Sequence, residues 1–321
     1  MKPNALLALL SDRRVHSGES LAKELGVSRT AVWKQIKKAA SEGLEIRTIR
    51  GQGYQLMSVL DLLDRERVLS ALPETFRAQV DLAVLSQVDS TNAEVARQLP
   101  CARGRVPIVV ADTQTAGRGR RGRNWSSPKG ENLYMSMGLT FRGGFEVLDG
   151  LSLVLGVTVA RALEGLGGEG AGLKWPNDLF AGGRKFGGIL VEIQGELQEG
   201  QVQVIAGIGI NVHMKEAVDV DQPWTSLSRQ WPETAWVRND LAAAIIREVL
   251  GSLELFDAGG FAAFRADWQA RDIFFAQPLI ARDGELSGIG AGVDGSGNYC
   301  LETETGLASV RAGDISLRVL A

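Results

Sequence analysis

The sequence predicts an α+β protein built from more than one domain. Three observations carry this. The 321 residues exceed one ordinary domain. Helical and strand-like periodicities alternate through the centre, and short strands alone fill the tail. Charge is also split along the chain. Residues 1–60 hold ten Lys and Arg against five Asp and Glu, whereas the whole chain is net −3. A basic head on an acidic body suggests a polyanion-binding module joined to something else.

The head reads as three helices. Asn4 caps "NALLALLSD" behind Pro3, and "SGESLAKELG" runs from Ser17 to Gly26, a C′ glycine. "VSRTAVWKQIKKAASEG" starts at the N-cap Ser28 and ends at Gly43. Ala31, Val32, Ile36 and Ala39 share one face of it, and Arg29, Thr30, Lys34 and Lys37 turn away. "ELGVSRTAV" is a tight helix–turn–helix link, and two short strands around Arg50–Gly53 form a wing exposing Arg47 and Arg50. Short polar and basic side chains at a helix N-terminus suit the major groove, so Ser28, Arg29, Thr30, Lys34, Lys37, Arg47 and Arg50 are candidate DNA contacts. The competing reading is a helical protein-interaction module with a solvated basic face. "SVLDLLDRERVLSALPETFRAQVDL" follows as a linker and one short helix, which makes the head separable at about Ser58.

The centre opens with the strand "LAVLSQV", the polar "DSTN" (Asp89–Asn92) and the helix "AEVARQL". Those four residues either cap the helix or bind a compact polar ligand at its entrance. Next comes "GRGRRGRNW", Gly117 to Trp125, which satisfies the dinucleotide pattern G-x-G-x-x-G. That pattern needs a helix directly after the glycines. Pro128 and Gly130 stand there instead, and "NLYMSMGL" reads as a strand. A low-complexity RNA tract fits no better, because strands flank the stretch. The loop therefore joins two strands. Its glycines let backbone close on a ligand, and its arginines offer forked donors to phosphate or carboxylate; an inert surface loop is the alternative. "KWPND" (Lys174–Asp178) combines a lysine, a proline and a carboxylate, and suits a nucleotide and metal site. "GRKFGGILVE" sets Lys185 ahead of the strand glycines Gly187 and Gly188. In "VIAGIGINV", Gly207 and Gly209 thin one side of a pleat, as a bound ring or ribose requires.

Several classes are excluded. "LSLVLGVTVA" is too short to span a bilayer and reads as a buried helix. The N-terminus lacks a secretory pattern, so no membrane role and a cytoplasmic location are expected. Cys101 and Cys300 form neither a disulfide framework nor a zinc motif. His16 and His213 lie near no nucleophile motif.

Taken in order, "DSTN", "GRGRRGRNW", "KWPND", "RKFGGILVE" and "GIGIN" resemble the biotin–protein ligases. With the winged head, the chain is similar from end to end to the bacterial ligases that also repress the biotin operon. The resemblance implies a winged helix-turn-helix over 1–62 and a class II aminoacyl-tRNA-synthetase-like mixed sheet with helices over 63–271. An SH3-like β-barrel over 272–321 completes it, and "ARDGELSG", "GVDGSGNYCLETETGLASV" and "GDISLRVL" agree with such a strand-rich end. It implies a two-step reaction: biotin and MgATP give biotinyl-5′-AMP, and a lysine of the biotin carboxyl carrier protein of acetyl-CoA carboxylase then takes the biotin. Neither step needs an enzyme nucleophile, in keeping with so few His and Cys.

By the same resemblance, Ser90, Thr91, Asn92, Gln114, Gly117, Gly119, Gly188 and the backbone at Arg118 hold biotin, and Trp125 walls its phosphate side. Arg118, Arg120 and Arg121 serve carboxylate and phosphates, and Lys185 bridges carboxylate and α-phosphate. Asp178, with Lys174, handles Mg²⁺ or the activated ester. Asn177, Asn211, Trp224 and Arg318 take the nucleotide, beneath a mobile loop at 213–224. A homodimer on biotin-operator DNA, with biotinyl-5′-AMP as co-repressor, completes the expectation. The alternatives are a ligase with a non-functional head, a non-catalytic biotin-sensing transcription factor, and a lipoate ligase.

Overall fold

A computed structural model of the protein describes residues 5–41, 44–57, 61–99, 104–198, 200–216, 220, 222–281, 286–311 and 317–319. The head contains α1 (Ala5–Leu10), α2 (Gly18–Leu25), α3 (Arg29–Ser41) and a hairpin of β1 (Ile46–Ile49) and β2 (Gly53–Leu56). The Ser17 Oγ caps α2 by accepting from the Ser20 N–H at 3.0 Å, and Gly26 ends it at φ 65°. Ser28 Oγ caps α3 through the Ala31 N–H at 3.2 Å. The expected boundaries at Asn4 and Gly43 lie outside the described residues. Val32, Ile36 and Ala39 meet Leu6, Leu10, Leu21 and Leu56 in the head's own core, whereas Ala31 is only half-buried. The wing is stitched to the link before α2 by paired backbone bonds between His16 and Tyr54, at 2.8 and 2.9 Å.

The stretch after the head departs from the expected linker and single helix. It holds two helices, α4 (Arg65–Ser70) and α5 (Glu74–Gln79). Asp64 caps the first by accepting from the Arg67 N–H at 2.9 Å, and Pro73 interrupts the run before the second. Leu62 packs on the head's core, while Leu63, Val68 and Leu69 belong to the main core. The connection is thus anchored rather than loose.

The centre consists of β3 (Val80–Leu85), α6 (Thr91–Gln98), β4 (Val106–Ala111), β5 (Asn132–Arg142), α7 (Leu151–Glu164), β6 (Gly172–Lys174), β7 (Asp178–Ala181), β8 (Arg184–Gln198), β9 (Gln201–Asn211), α8 (Leu227–Gln230), α9 (Arg238–Gly259) and α10 (Arg265–Gln269). Its seven strands run β3-β4-β5-β9-β8-β7-β6, with only β3 and β4 parallel. Strand alternation sorts the two faces. Val204, Ala206, Ile208 and Ile210 of β9 enter the main core with α7 and α9. Ile205 instead joins Val95 and Leu99 at α6 and Val109 of β4. The run "LSLVLGVTVA" is the almost wholly buried α7, as its composition predicts. No helix among the described residues is long and apolar enough to cross a membrane.

The tail forms β10 (Pro278–Ala281), β11 (Leu286–Val293), β12 (Tyr299–Thr303), β13 (Gly306–Val310) and β14 (Arg318–Val319), an antiparallel sheet ordered β13-β12-β11-β10-β14. The Asp294 turn is capped by its own carboxylate, which accepts from the Ser296 and Asn298 N–H groups at 2.9 Å; the Asp283-Gly284 turn lies outside the described residues. Leu279, Tyr299, Leu301 and Val310 share the main core, so the tail is packed onto the central sheet.

Asp272 sits at that junction. Its carboxylate accepts from the Tyr299 hydroxyl at 2.8 Å and the Phe274 N–H at 2.9 Å, and burial pushes its pKa up to about 6. The folded chain therefore holds this proton more tightly than the unfolded one. The associated stability is present below about pH 4 and is lost as pH rises through about 6. Asp272→Asn keeps an acceptor for Phe274 and can donate to the Tyr299 oxygen. It is expected to flatten the Tm-versus-pH curve between pH 4 and 7 and to raise Tm at pH 8. A variant curve parallel to wild type would contradict this.

Candidate active site

One cavity of about 580 Å³ opens on the α6 side of the sheet. Strand β9 lays out its floor. Gly207, Gly209 and Asn211 alternate onto the same face, and register places Ser136, Tyr134 and Asn132 of β5 beside them in turn. On the other flank, Leu190 and Gly188 of β8 face Gly207 and Gly209. Both glycines are sterically required. A Cβ at Gly207 would lie 2.3 Å from Asn92 Oδ1, and one at Gly209 would lie 2.7 Å from the Trp125 ring. Asn92 and Trp125 thus lie directly on the strand, side by side.

The end of the cavity at Gly207 is a polar cluster. Ser90 is the N-cap residue of α6, but its side chain makes no capping bond. Thr91 donates to Gln114 Oε1 from its N–H at 2.9 Å and its hydroxyl at 3.1 Å. The Ser136 hydroxyl lies 2.7 Å from Thr91 Oγ1 and 2.6 Å from Asn92 Oδ1. Asn92 Nδ2 donates to Glu192 Oε2 at 2.6 Å, and Glu192 also pairs with Arg118 at 3.6 Å. Glu192 and Ser136 were not among the sequence candidates; both stand in strand runs whose neighbours are apolar. Buried groups held in mutual hydrogen bonds form a preorganised surface for a small polar ring.

The segment Gly117–Trp125 closes over this floor. Trp125 N–H donates to the Gly117 carbonyl at 2.9 Å and Gly119 N–H to the Arg123 carbonyl at 2.7 Å, folding the arginines into a compact hairpin. Arg121 adopts the left-handed region, φ 57°, ahead of Gly122 at φ 69°. Gly117 is buried behind the wall, outside the lining. A Cβ there would lie 2.8 Å from the Gln114 amide nitrogen and 2.9 Å from the Ser127 hydroxyl. Its contribution is close packing.

Towards Gly209 and Asn211 the cavity is cationic. Among the described residues its lining carries Arg118, Arg120, Arg121, Arg123, Lys174, Lys185 and Arg318 against the single carboxylate of Asp178. Lys185 Nζ lies 2.7 Å from Asp178 Oδ1 and 5.5 Å from the centre of the Trp125 ring. Arg120 donates to Asn177 Oδ1 at 3.2 Å, and Asn177 in turn donates to the Ile189 carbonyl at 2.6 Å. Burial, reinforced by Arg121, lowers the Arg120 pKa against the opposing pull of Asp178. Lys174 is also lowered, first by burial, and its ammonium lies 5.0 and 5.4 Å from the ring centres of Phe180 and Phe274. Cations held part-dry around a concavity attract and retain anions.

The far end is bounded by Asn211, which donates to the Thr225 carbonyl at 3.1 Å, and by Trp224, under Arg229 at 4.8 Å. Backbone bonds from Lys185 N–H to the Pro223 carbonyl (3.0 Å) and from Thr225 N–H to the Lys185 carbonyl (2.9 Å) tie this segment to β8. Of the expected 213–224 loop, residues 217–219 and 221 lie outside the described residues. Gly119, Gly188 and Arg318 line the cavity.

In the head, Arg29, Thr30 and Arg50 line a groove between α3 and the wing. Lys34, Lys37 and Arg47 are exposed outside it, and the hydroxyl of Ser28 caps α3. The groove also contains Trp33, a 47 % exposed indole that was not among the sequence candidates. Its signal was a large apolar residue off the core face of an otherwise polar stripe.

The chain is similar to known proteins. Residues 84–211 match the Biotin/lipoate A/B protein ligase family, and residues 3–55 match an HTH domain family. The chain is 38 % identical over 320 residues to the bifunctional ligase/repressor BirA of Salmonella typhimurium, covering 98 % of this chain and 97 % of that protein. It is 35 % identical over 242 residues to the biotin–[acetyl-CoA-carboxylase] ligase of Paracoccus denitrificans, covering 72 % of this chain and 98 % of that one. A biotin protein ligase from Aquifex aeolicus, solved in complex with biotin and ATP, superposes with a TM-score of 0.63 at 29 % identity, over 75 % of this chain and 99 % of that one. Being 38 % identical along nearly its whole length, the chain belongs to the family of the bifunctional ligase/repressor BirA proteins.

Proposed function

We propose that the chain is an ATP-dependent biotin–protein ligase that also represses transcription, with three units at 1–62, 63–271 and 272–321. The observation that carries the enzymatic reading is the single cavity in which a hydrogen-bonded polar pole and a cationic pole meet across Trp125 and Lys185. Biotin fits with its ureido ring at Ser90, Thr91, Asn92 and Gln114. Its carboxylate then points along β9 towards Lys185, and ATP lies over Asn211 and Trp224 with its phosphates among the arginines.

In the first step a biotin carboxylate oxygen attacks the α-phosphorus, giving biotinyl-5′-AMP and pyrophosphate. In the second, a lysine amine of a carboxyl carrier protein attacks the acyl carbon and AMP leaves. Lys185 and Arg120 stabilise charge that builds on carboxylate, α-phosphate and leaving group. Positioned cations are the dominant contribution in such phosphoryl chemistry. Mg²⁺ travels with the ATP phosphates. The described residues hold no cluster of three His, Cys, Asp or Glu, and Asp178 offers one carboxylate, already engaged by Lys185. The buried Trp125 Nε1 has no hydrogen-bond partner among the described residues, which suits an oxygen of a bound ligand.

Pyrophosphate release on adding ATP and biotin, but none with lipoate, supports this reading; release with lipoate alone would replace it. Gly209→Ala drives a methyl into the Trp125 ring and is expected to lower kcat/KM for pyrophosphate release by about ten- to a hundredfold with little change in Tm. An unchanged kcat/KM would remove Trp125 from the site.

The head reads as an operator-binding module acting as a homodimer in the cytoplasm, with biotinyl-5′-AMP as co-repressor. The adenylate can strengthen DNA binding only through higher affinity for the dimer or for the bound geometry. Anisotropy titration on the chain's own biotin-synthesis promoter, with and without biotin and ATP, tests this. Operator binding that ignores the adenylate would refute co-repression.

A further inference from the structure

We propose that Trp33 reads DNA sequence, its indole seating against the C5-methyl edge of a thymine in the major groove. The inference rests on the operator-binding role of the head and assigns it a base contact. Three observations support it.

The first is placement. Val32, Ile36 and Ala39 bury one side of α3 in the head's core. Arg29, Trp33 and Lys37 are spaced four residues apart and all exposed, so they form one stripe along the flank of α3 next to that face. Trp33 lies on the second turn of the helix, within reach of a groove that accepts the N-terminal half of such a helix. The second is exposure. Trp33 is 47 % exposed, while the head's core is filled by smaller Leu, Ile, Val and Ala side chains. The ammonium of Lys37 lies 5.0 Å from the ring centre, so the indole is held along the helix surface.

The third is what surrounds it. The groove, about 560 Å³, is formed by Arg29, Thr30 and Trp33 of α3, Glu19 at the start of α2, and Thr48 and Arg50 of the wing. Cations thus stand on both sides of an apolar centre. Phosphate oxygens are complementary to the cations, and within the major groove only thymine offers a methyl group to an apolar surface. A duplex presents phosphates along both edges of its major groove, as Arg29 and Arg50 flanking the indole require, and the net positive charge of the head favours DNA over a protein partner.

The test uses the full chain with biotin and ATP, titrated by anisotropy against its biotin-synthesis operator and a scrambled duplex. Each operator thymine is replaced in turn by deoxyuridine, which removes only the methyl. Wild type is expected to lose about fourfold in affinity at one thymine per half-site. Trp33→Ala is expected to lose tenfold or more on the operator, to change less than twofold on the scrambled duplex, and to show no effect of that deoxyuridine. Trp33→Phe, which keeps an apolar ring, should retain part of the preference. Equal operator affinity for wild type and Trp33→Ala overturns the inference while leaving operator binding intact, and directs attention to a protein partner for the indole. A loss in Trp33→Ala that is the same on both duplexes also overturns it. A wild-type chain that prefers neither duplex overturns the operator-binding reading, and the base contact with it.

Discussion

Lys185→Ala lowers the rate of biotin-dependent pyrophosphate release by about 10²–10³, the loss expected when one preorganised donor is removed from a charge-building transition state. The structure makes this substitution informative. The ties between Lys185 and the Pro223–Thr225 segment are backbone bonds that alanine retains. What disappears is the ammonium beside Asp178 and above Trp125. That pair is largely buried, with side chains 15 % and 20 % exposed, but Arg120 and Lys174 still face Asp178, so the stability change is expected to be about 1–3 kcal/mol. Single-turnover pyrophosphate release and a melting curve on the same sample check both halves. Release within a few-fold of wild type would take Lys185 out of the chemistry. An equal collapse of Tm would make the lysine structural.

Arg238→Met is expected to destabilise the chain by about 3–5 kcal/mol, a fall in Tm on the order of 10 °C. Arg238 begins α9 and is completely buried. It donates to Asp112 Oδ1 at 2.8 Å, to the Asn132 carbonyl at 2.9 Å and to the Asp61 carbonyl at 2.7 Å, and its N–H meets the Asp61 carboxylate. His213 reaches the same Asp61 carboxylate at 3.2 Å, and Asn239 accepts from the Asp64 N–H at 2.8 Å. Methionine fills much of the volume but takes the guanidinium away from the buried Asp112 carboxylate. Adding Asp112→Asn to Arg238→Met removes that charge and is expected to recover part of the loss. A single variant melting within 2 °C of wild type would show that the network contributes little. Because Asp61 and Asp64 follow the head directly, the single variant is also expected to expose residues 57–65 to limited proteolysis. Truncation at about Ser58 leaves this network in place, whereas one beyond Asp61 removes part of it.

Much of this is legible in the amino-acid sequence. The cap at Ser28, the glycine at 26, the hydrophobic stripe of α3 and the wing turn act over a few residues, and each is legible from its neighbours alone, whereas the cap at Ser17 comes from the structure. The glycine-arginine loop was placed between strands because Pro128 and Gly130 forbid the helix that a dinucleotide site needs. Segments such as "DSTN" and "KWPND" were ambiguous locally. Ser90 could have spent its hydroxyl on the helix cap, and the structure shows that it does not.

By itself, then, the sequence determined the elements of the head, the strands around the site and the inventory of chemical groups, since propensity, capping and periodicity are local; it did not separate α4 from α5. Tertiary structure alone decided which groups confront one another. The β5–β9–β8 register sets Ser136 beside Gly207 and lets Asn92 meet Glu192, a residue 100 positions away that no local pattern marks. The same holds for Arg238 and Asp61, 177 positions apart, whose bonds turn an apparent linker into an anchored strap. Such pairings depend on burial and strand register, which exist only once distant segments have packed and excluded water.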